Sequence, residues 1–138
     1  MTGAREVGEV ASYPVDGTFT ADDSGYVLEA KQDGSSEVQH VTGDSSAVVG
    51  VNFVSTENQK ENVVNPDSGE VDVAKEGRAF PVKADSAEYF VGEDVHLSAT
   101  NDGHVNKSDT GNYRVGTVAR YNDLTSDGDK LLVDFSTD

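Results

Sequence analysis

The side chains of this chain that could do chemistry are three histidines and 26 carboxylates; cysteine is absent. His40, His96 and His104 lie far apart, and no His-x-His or His-Glu-x-x-His spacing turns two imidazoles toward one metal ion. Without cysteine there is no thiolate nucleophile, no disulfide framework and no Cys-ligated metal. Neither a Gly-x-Ser-x-Gly elbow nor a glycine-rich phosphate loop occurs. Adjacent acids such as Asp22-Asp23 and Glu93-Asp94 could be taken for the carboxylate pair of a glycosidase. At this density of acids, solvated surface is the better account. One stretch, DLTSDGDKLLVD, spaces Asp123, Asp127 and Asp129 around a turn glycine somewhat as a calcium loop does. Its last ligand position holds Asp134 instead of a bidentate Glu, and no helical pattern flanks it, so a β-hairpin turn is expected in place of a metal site. No cofactor and no catalytic residue are expected, and the chain reads as a binding or structural protein.

Composition narrows the partners. The formal charge is −16, with 26 acidic residues against 10 basic ones, and no Lys/Arg cluster could displace counterions from a nucleic acid. Such self-repulsion weakens a compact state at ordinary ionic strength, whereas molar salt shortens the Debye length to about 3 Å and screens it. An acidic, Lys-poor, Ile-free surface fits a protein working in concentrated salt, as in haloarchaea and their viruses. No stretch approaches the roughly 20 apolar residues of a membrane-spanning helix, so no membrane partner is expected.

The elements that would position these residues are strands. Val outnumbers Leu 21 to 5, a balance that favours pleated, half-buried strands over helices. Residues 1–24 hold only scattered apolar points and read as an extended N-terminal arm; residues 25–138 read as a single β domain. GYVLEAK alternates as a strand with one wet face, AVVGVNFV is apolar on both faces, and EVDVAK and GRAFPV are two short strands, Pro81 holding the second to an edge or a strand end. ADSAEYF is the one plausible helical turn.

LEAKQDG at Leu28 and LSATNDG at Leu97 share four residue types 69 positions apart, and Val49-Gly50 and Val115-Gly116 follow at an offset of 66. The expected fold is therefore all-β, a small barrel or sandwich of two similar strand units (residues 26–75 and 95–135) with at most one short helix.

The segments AVVGV (Ala47 to Val51), SGEVDV (Ser68 to Val73) and GEDVHL (Gly92 to Leu97) make the chain similar to the head-decoration, or capsid cement, proteins of tailed viruses. The resemblance covers about half of the chain and departs from the lambda type by continuing through a second unit after Gly103. It implies a structural virion protein on the outer capsid surface that binds the major capsid protein, commonly as a trimer, and bridges neighbouring subunits. It also implies an arm that orders on the capsid, for which Arg5, Tyr13, Pro14 and Phe19 are the expected anchors. The alternative is a β-rich surface or glycan-binding module, whose platform would draw on Tyr26, Tyr89, Phe90, Tyr113 and Tyr121.

Overall fold

The computed structural model describes residues 6–15, 19–20, 24–43, 47–53, 63–64, 70–107 and 112–137. Every regular element among them is a β-strand. In chain order these are β1 (Glu6–Pro14), β2 (Phe19–Thr20), β3 (Val27–Ala30), β4 (Val38–His40), β5 (Val48–Asn52), β6 (Val63–Val64) and β7 (Glu70–Lys83). They continue with β8 (Ala87–Tyr89), β9 (Asp94–Leu97), β10 (Val105–Asn106), β11 (Arg114–Val118), β12 (Asn122–Leu124) and β13 (Lys130–Ser136). Nine of them form one antiparallel sheet that curls into a half-barrel, in the order β10-β9-β11-β13-β7-β5-β3-β4 with β1 added on β7.

The order contains the same unit twice. In the first unit β4 pairs with β3, β3 with β5, β5 with β7 and β7 with β1; a parallel bridge from Val15 to Val38 then returns to β4. In the second, β10 pairs with β9, β9 with β11, β11 with β13 and β13 with β7, and Ala84 bridges in parallel to Val105 on β10. Each unit also carries a two-stranded flap, β2 with β6 and β8 with β12. Val15 and Ala84 are 69 positions apart, the spacing that separates the two turn sequences. The last strand of the first unit is the first strand of the second, so β7 holds the two together.

That double duty explains the length of β7. The two short strands expected around EVDVAK and GRAFPV are one strand of 14 residues, interrupted by a β-bulge where Arg78 and Ala79 together face Asp134. Ala79 sits at φ 47, a conformation L-residues rarely adopt, and its N–H donates to Asp134 Oδ1 at 2.8 Å. Pro81 lies near the end of β7, which closes at Lys83. It lies beyond the last β1 pairing at Arg78 and before Lys83 donates to Gly25 O, where an N–H is not required.

Residues 6 to 15, expected to lie outside the domain as an arm, are a strand of the first unit and pair with β7 from Arg78 back to Glu70. Tyr13 and Val15, two apart on one face, reach a small core of Leu28, Val38, Val71 and Val73. The larger core lies around Phe80, Tyr89, Leu97, Leu131 and Phe135, and it also takes Val27, Val51 and Ala74 from the first unit. Strand β3 therefore has no wet face: Val27 enters one core and Leu28 the other. Glu29 is buried as well, its carboxylate accepting from Gln39 Nε2 at 2.7 Å and Thr42 Oγ1 at 3.2 Å. The stretch expected as a helical turn is β8, because Ala87 to Tyr89 pair with β12.

Candidate functional site

The flap of the second unit ends in an exposed apolar tip. Tyr89 is fully buried, and the alternation of a strand sends its neighbour Phe90 outward. Phe90, Val91 and Tyr121 are 46%, 66% and 54% exposed, and the Phe90 and Tyr121 rings lie 5.4 Å apart with their planes tilted by 52°. The tip is braced from below. Phe90 N–H donates to Glu93 Oε1 at 2.8 Å, and Gly92, at φ +90, donates to Val118 O. Tyr121 Oη donates to Glu88 Oε2 at 2.7 Å, a bond that raises the phenol's pKa. Lys107 Nζ sits 5.7 Å from the Phe90 ring centroid and donates to Glu88 O at 2.6 Å. These bonds hold the backbone of the turn and the Tyr121 ring in place before any partner arrives, which lowers the entropy a contact must overcome.

Beneath the flap a polar knot ties three turns together. The Asp85 carboxylate accepts from Ser98 Oγ at 2.5 Å, Asn101 Nδ2 at 2.7 Å, Asn106 Nδ2 at 3.0 Å and His104 Nδ1 at 3.1 Å. Burial opposes its charge, but the donors, led by Ser98 and Asn101, outweigh burial and hold its pKa below the ordinary carboxylate range. Burial, with the charges of Asp85 and Asp127 added, pushes the Tyr89 phenol up; its hydroxyl donates to Asp85 O at 2.8 Å. An Asp, a His and a Ser meet here, yet Ser98 donates to the carboxylate and not to the imidazole. Its oxygen also accepts the N–H groups of Thr100 and Asn101. The Ser98 hydroxyl and the Asp85 carboxylate are engaged with one another and with the N–H groups of the following turn, an arrangement that clamps the turns together.

The structure brings some of the residues singled out in the sequence together, since His40 and His104 both lie against Tyr26, at 3.9 and 5.5 Å, and it separates others. Asp123 is on β12 opposite Glu88, Asp127 Oδ1 accepts from Ser86 N–H at 2.7 Å, and Asp129 offers its carbonyl to Ala84 N–H. Among the described residues no group of three or more His, Asp or Glu side chains is placed to hold a metal ion. His40 stacks on Tyr26 at 3.9 Å, His104 belongs to the knot, and His96 lies on β9 opposite Arg114.

Of the expected arm anchors, Arg5 lies outside the described residues and Phe19 is in β2. Tyr13 and Pro14 are in β1, and the Tyr13 hydroxyl accepts from Lys75 Nζ at 2.9 Å. A ring committed to the first unit's core is not available to fill a pocket elsewhere. Of the five aromatics considered for a glycan platform only Phe90 and Tyr121 are exposed, and their tilt denies a sugar a flat surface. The sequence signal for the tip was FVG, two large apolar residues before a turn glycine, against ADD at the matching place 69 positions earlier.

No protein-family model matches this chain, and no curated protein shows significant similarity to it.

Proposed function

We propose that this chain is a structural virion protein that attaches to the outer surface of an assembled capsid and steadies it by bridging neighbouring subunits. The observation that carries the reading is the braced tip of Phe90, Val91 and Tyr121 on a chain of formal charge −16. Acidic side chains in concentrated salt contribute little attraction, so attachment falls to desolvated apolar anchors. The two fused units give a stiff body behind that anchor, and the resemblance to head-decoration proteins supplies the kind of surface it would meet. Attachment through the tip replaces attachment through the arm, since residues 6 to 15 serve the fold.

The test is co-sedimentation with undecorated capsids of a haloarchaeal tailed virus. Wild-type protein should pellet with the particles, and the double variant Phe90→Ser, Tyr121→Ser should bind about a hundredfold more weakly, two anchors at about 1.4 kcal/mol each. Its thermal midpoint should stay within a few degrees, because neither ring is in a core. A wild-type chain that stays in the supernatant, or a variant that pellets equally well, would defeat the reading.

A further inference from the structure

The outer face of the second unit's flap carries more than its apolar tip. Tyr89 and Leu124 turn inward, so strand alternation puts Glu88 and Phe90 outward from one strand and Tyr121 and Asp123 outward from the other. Glu88 and Asp123 stand directly opposite each other in the register, and both are exposed. Like charges so placed repel, and none of the described lysines or arginines pairs with either carboxylate. The bond from Tyr121 Oη to Glu88, and then the charges of Glu88 and Asp123, raise the phenol's pKa, so both carboxylates border one exposed ring. On the other side of the tip the molecule seats a cation of its own. Lys107 Nζ lies 5.7 Å from the Phe90 ring centroid and 3.9 Å from Glu93 Oε1, and it donates to Glu88 O. The Tyr121 side repeats that combination of ring and carboxylate with no cation among the described residues.

We infer that the tip receives an arginine side chain of a protein partner, its guanidinium lying against Tyr121 and bridging Glu88 and Asp123. The inference rests on the tip as the attachment surface and names what the opposing surface must present: an arginine within an apolar rim that closes over Phe90 and Val91. Charge complementarity selects the cation, because Glu88, Glu93 and Asp123 surround the rings with only Lys107 against them. Arginine fits better than lysine, since a planar, weakly hydrated guanidinium stacks on a ring while its fork reaches carboxylates at the ring's edge. In molar salt, with a Debye length of about 3 Å, charges attract only in contact, and the apolar rim supplies the contact by excluding water. A second copy of this chain would bring the same acids against these ones, and a bare divalent ion would leave the rings unused.

The experiment titrates ¹⁵N-labelled full-length protein with a capped Leu-Arg-Leu peptide in about 1 M KCl, which screens loose attraction of cations to the acidic surface. Parallel arms use the same peptide with uncharged citrulline for arginine, calcium chloride, and the protein alone at rising concentration. The arginine peptide should shift the amides of Glu88, Phe90, Tyr121 and Asp123 saturably and leave those of Asp33 and Ser35, in another exposed acidic turn, where they are. The double variant Glu88→Gln, Asp123→Asn keeps the shape of both exposed side chains and should weaken binding at least about tenfold. The inference is overturned if the arginine peptide gives no saturable shift, or if citrulline peptide or calcium moves the same amides as strongly. It is equally overturned if those amides move with protein concentration alone, or if the double variant binds like wild type. No capsid takes part. A null titration beside capsid binding that depends on Phe90 and Tyr121 would strike the arginine alone, and saturable binding beside failed co-sedimentation would strike the capsid reading alone.

Discussion

The two units share a strand order and differ in what fills and finishes them. The first is closed by Val15 on Val38 around a small aliphatic core of Leu28, Val38, Val71 and Val73. The second is closed by Ala84 on Val105 around an aromatic one, where Phe80 and Phe135 meet edge to face at 5.6 Å. The second unit also holds the carboxylate clamp and presents the apolar tip. The first gives the outward side chains of its strands, Val27 and Val51, to the second unit's core. Duplication thus leaves one copy free to specialise while the other becomes a buttress. Stability is then expected to be unequal, with the first unit the weaker.

Removing residues 1 to 15 tests that inequality with the largest expected effect. The deletion takes away Val15, part of the burial of Tyr13 and one edge of β7. At about 1.5–3 kcal/mol per buried side chain and 0.5–1.5 kcal/mol net per ladder hydrogen bond, the loss should exceed roughly 5 kcal/mol. Hydrogen exchange should show the amides of Leu28 and Val51 losing protection while those of Leu131 and Val133 keep theirs. Loss in all four would mean that the units unfold as one and that the comparison describes shape only. Retention in all four would restore residues 1 to 15 to the role of an arm.

The same strand shows why the sequence was only partly readable. Strands with Val-rich alternation and Asp-Gly or Asn-Gly-like turns announce themselves locally, and β3, β5, β9 and β11 lie where those patterns stand. Strand β1 has only Val7, Val10 and Tyr13 as large apolar residues, and its place depends on partners 56 to 72 positions away. Its alternation of Ala11, Tyr13 and Val15 was present but too dilute to separate from coil. The Asp85 clamp was hidden for the same reason: its donors come from Ser98 to Asn106, and nothing around Asp85 itself marks it. FVG marks the tip only in hindsight, because its exposure depends on the orientation of β8.

The clamp sharpens the comparison through pH. The folded state lowers the Asp85 pKa below its unfolded value near about 3.9. The stability it contributes is therefore complete above about pH 5 and is lost as pH falls through the folded value. Asp85→Asn places an amide among donors and should cost roughly 3 kcal/mol at neutral pH. The gap between wild type and variant, read from denaturant midpoints, should be flat above about pH 5 and narrow below about pH 4. A gap that stays constant through acid would show the clamp to act by shape and not by charge. Because the clamp ties the second unit's turns, the exchange rates of Leu97 and Val105 should rise before those of Leu28.

The smallest effects come from the two matching turn glycines, and they probe the duplication position by position. Gly34 and Gly103 occupy the same place in LEAKQDG and LSATNDG, and both have positive φ, 81 and 75. An L-residue in that conformation costs about 1–2 kcal/mol whatever surrounds it. Around Gly34 the space is open, so Gly34→Ala should cost only that. Around Gly103 a new Cβ would lie 2.7 Å from Tyr26 Cδ1, and the Gly103 carbonyl accepts the Val27 N–H at 2.8 Å, a bond that joins the two units. Tyr26 cannot yield easily, since it stacks on His40 at 3.9 Å and lies beneath Lys83 at 4.9 Å. Gly103→Ala should therefore cost roughly twice as much as Gly34→Ala and should loosen Tyr26, which one-dimensional aromatic NMR would detect as faster ring flipping. Equal costs would mean that Gly103 is needed for its backbone angle alone, and that the second unit's turn does not rest on the first.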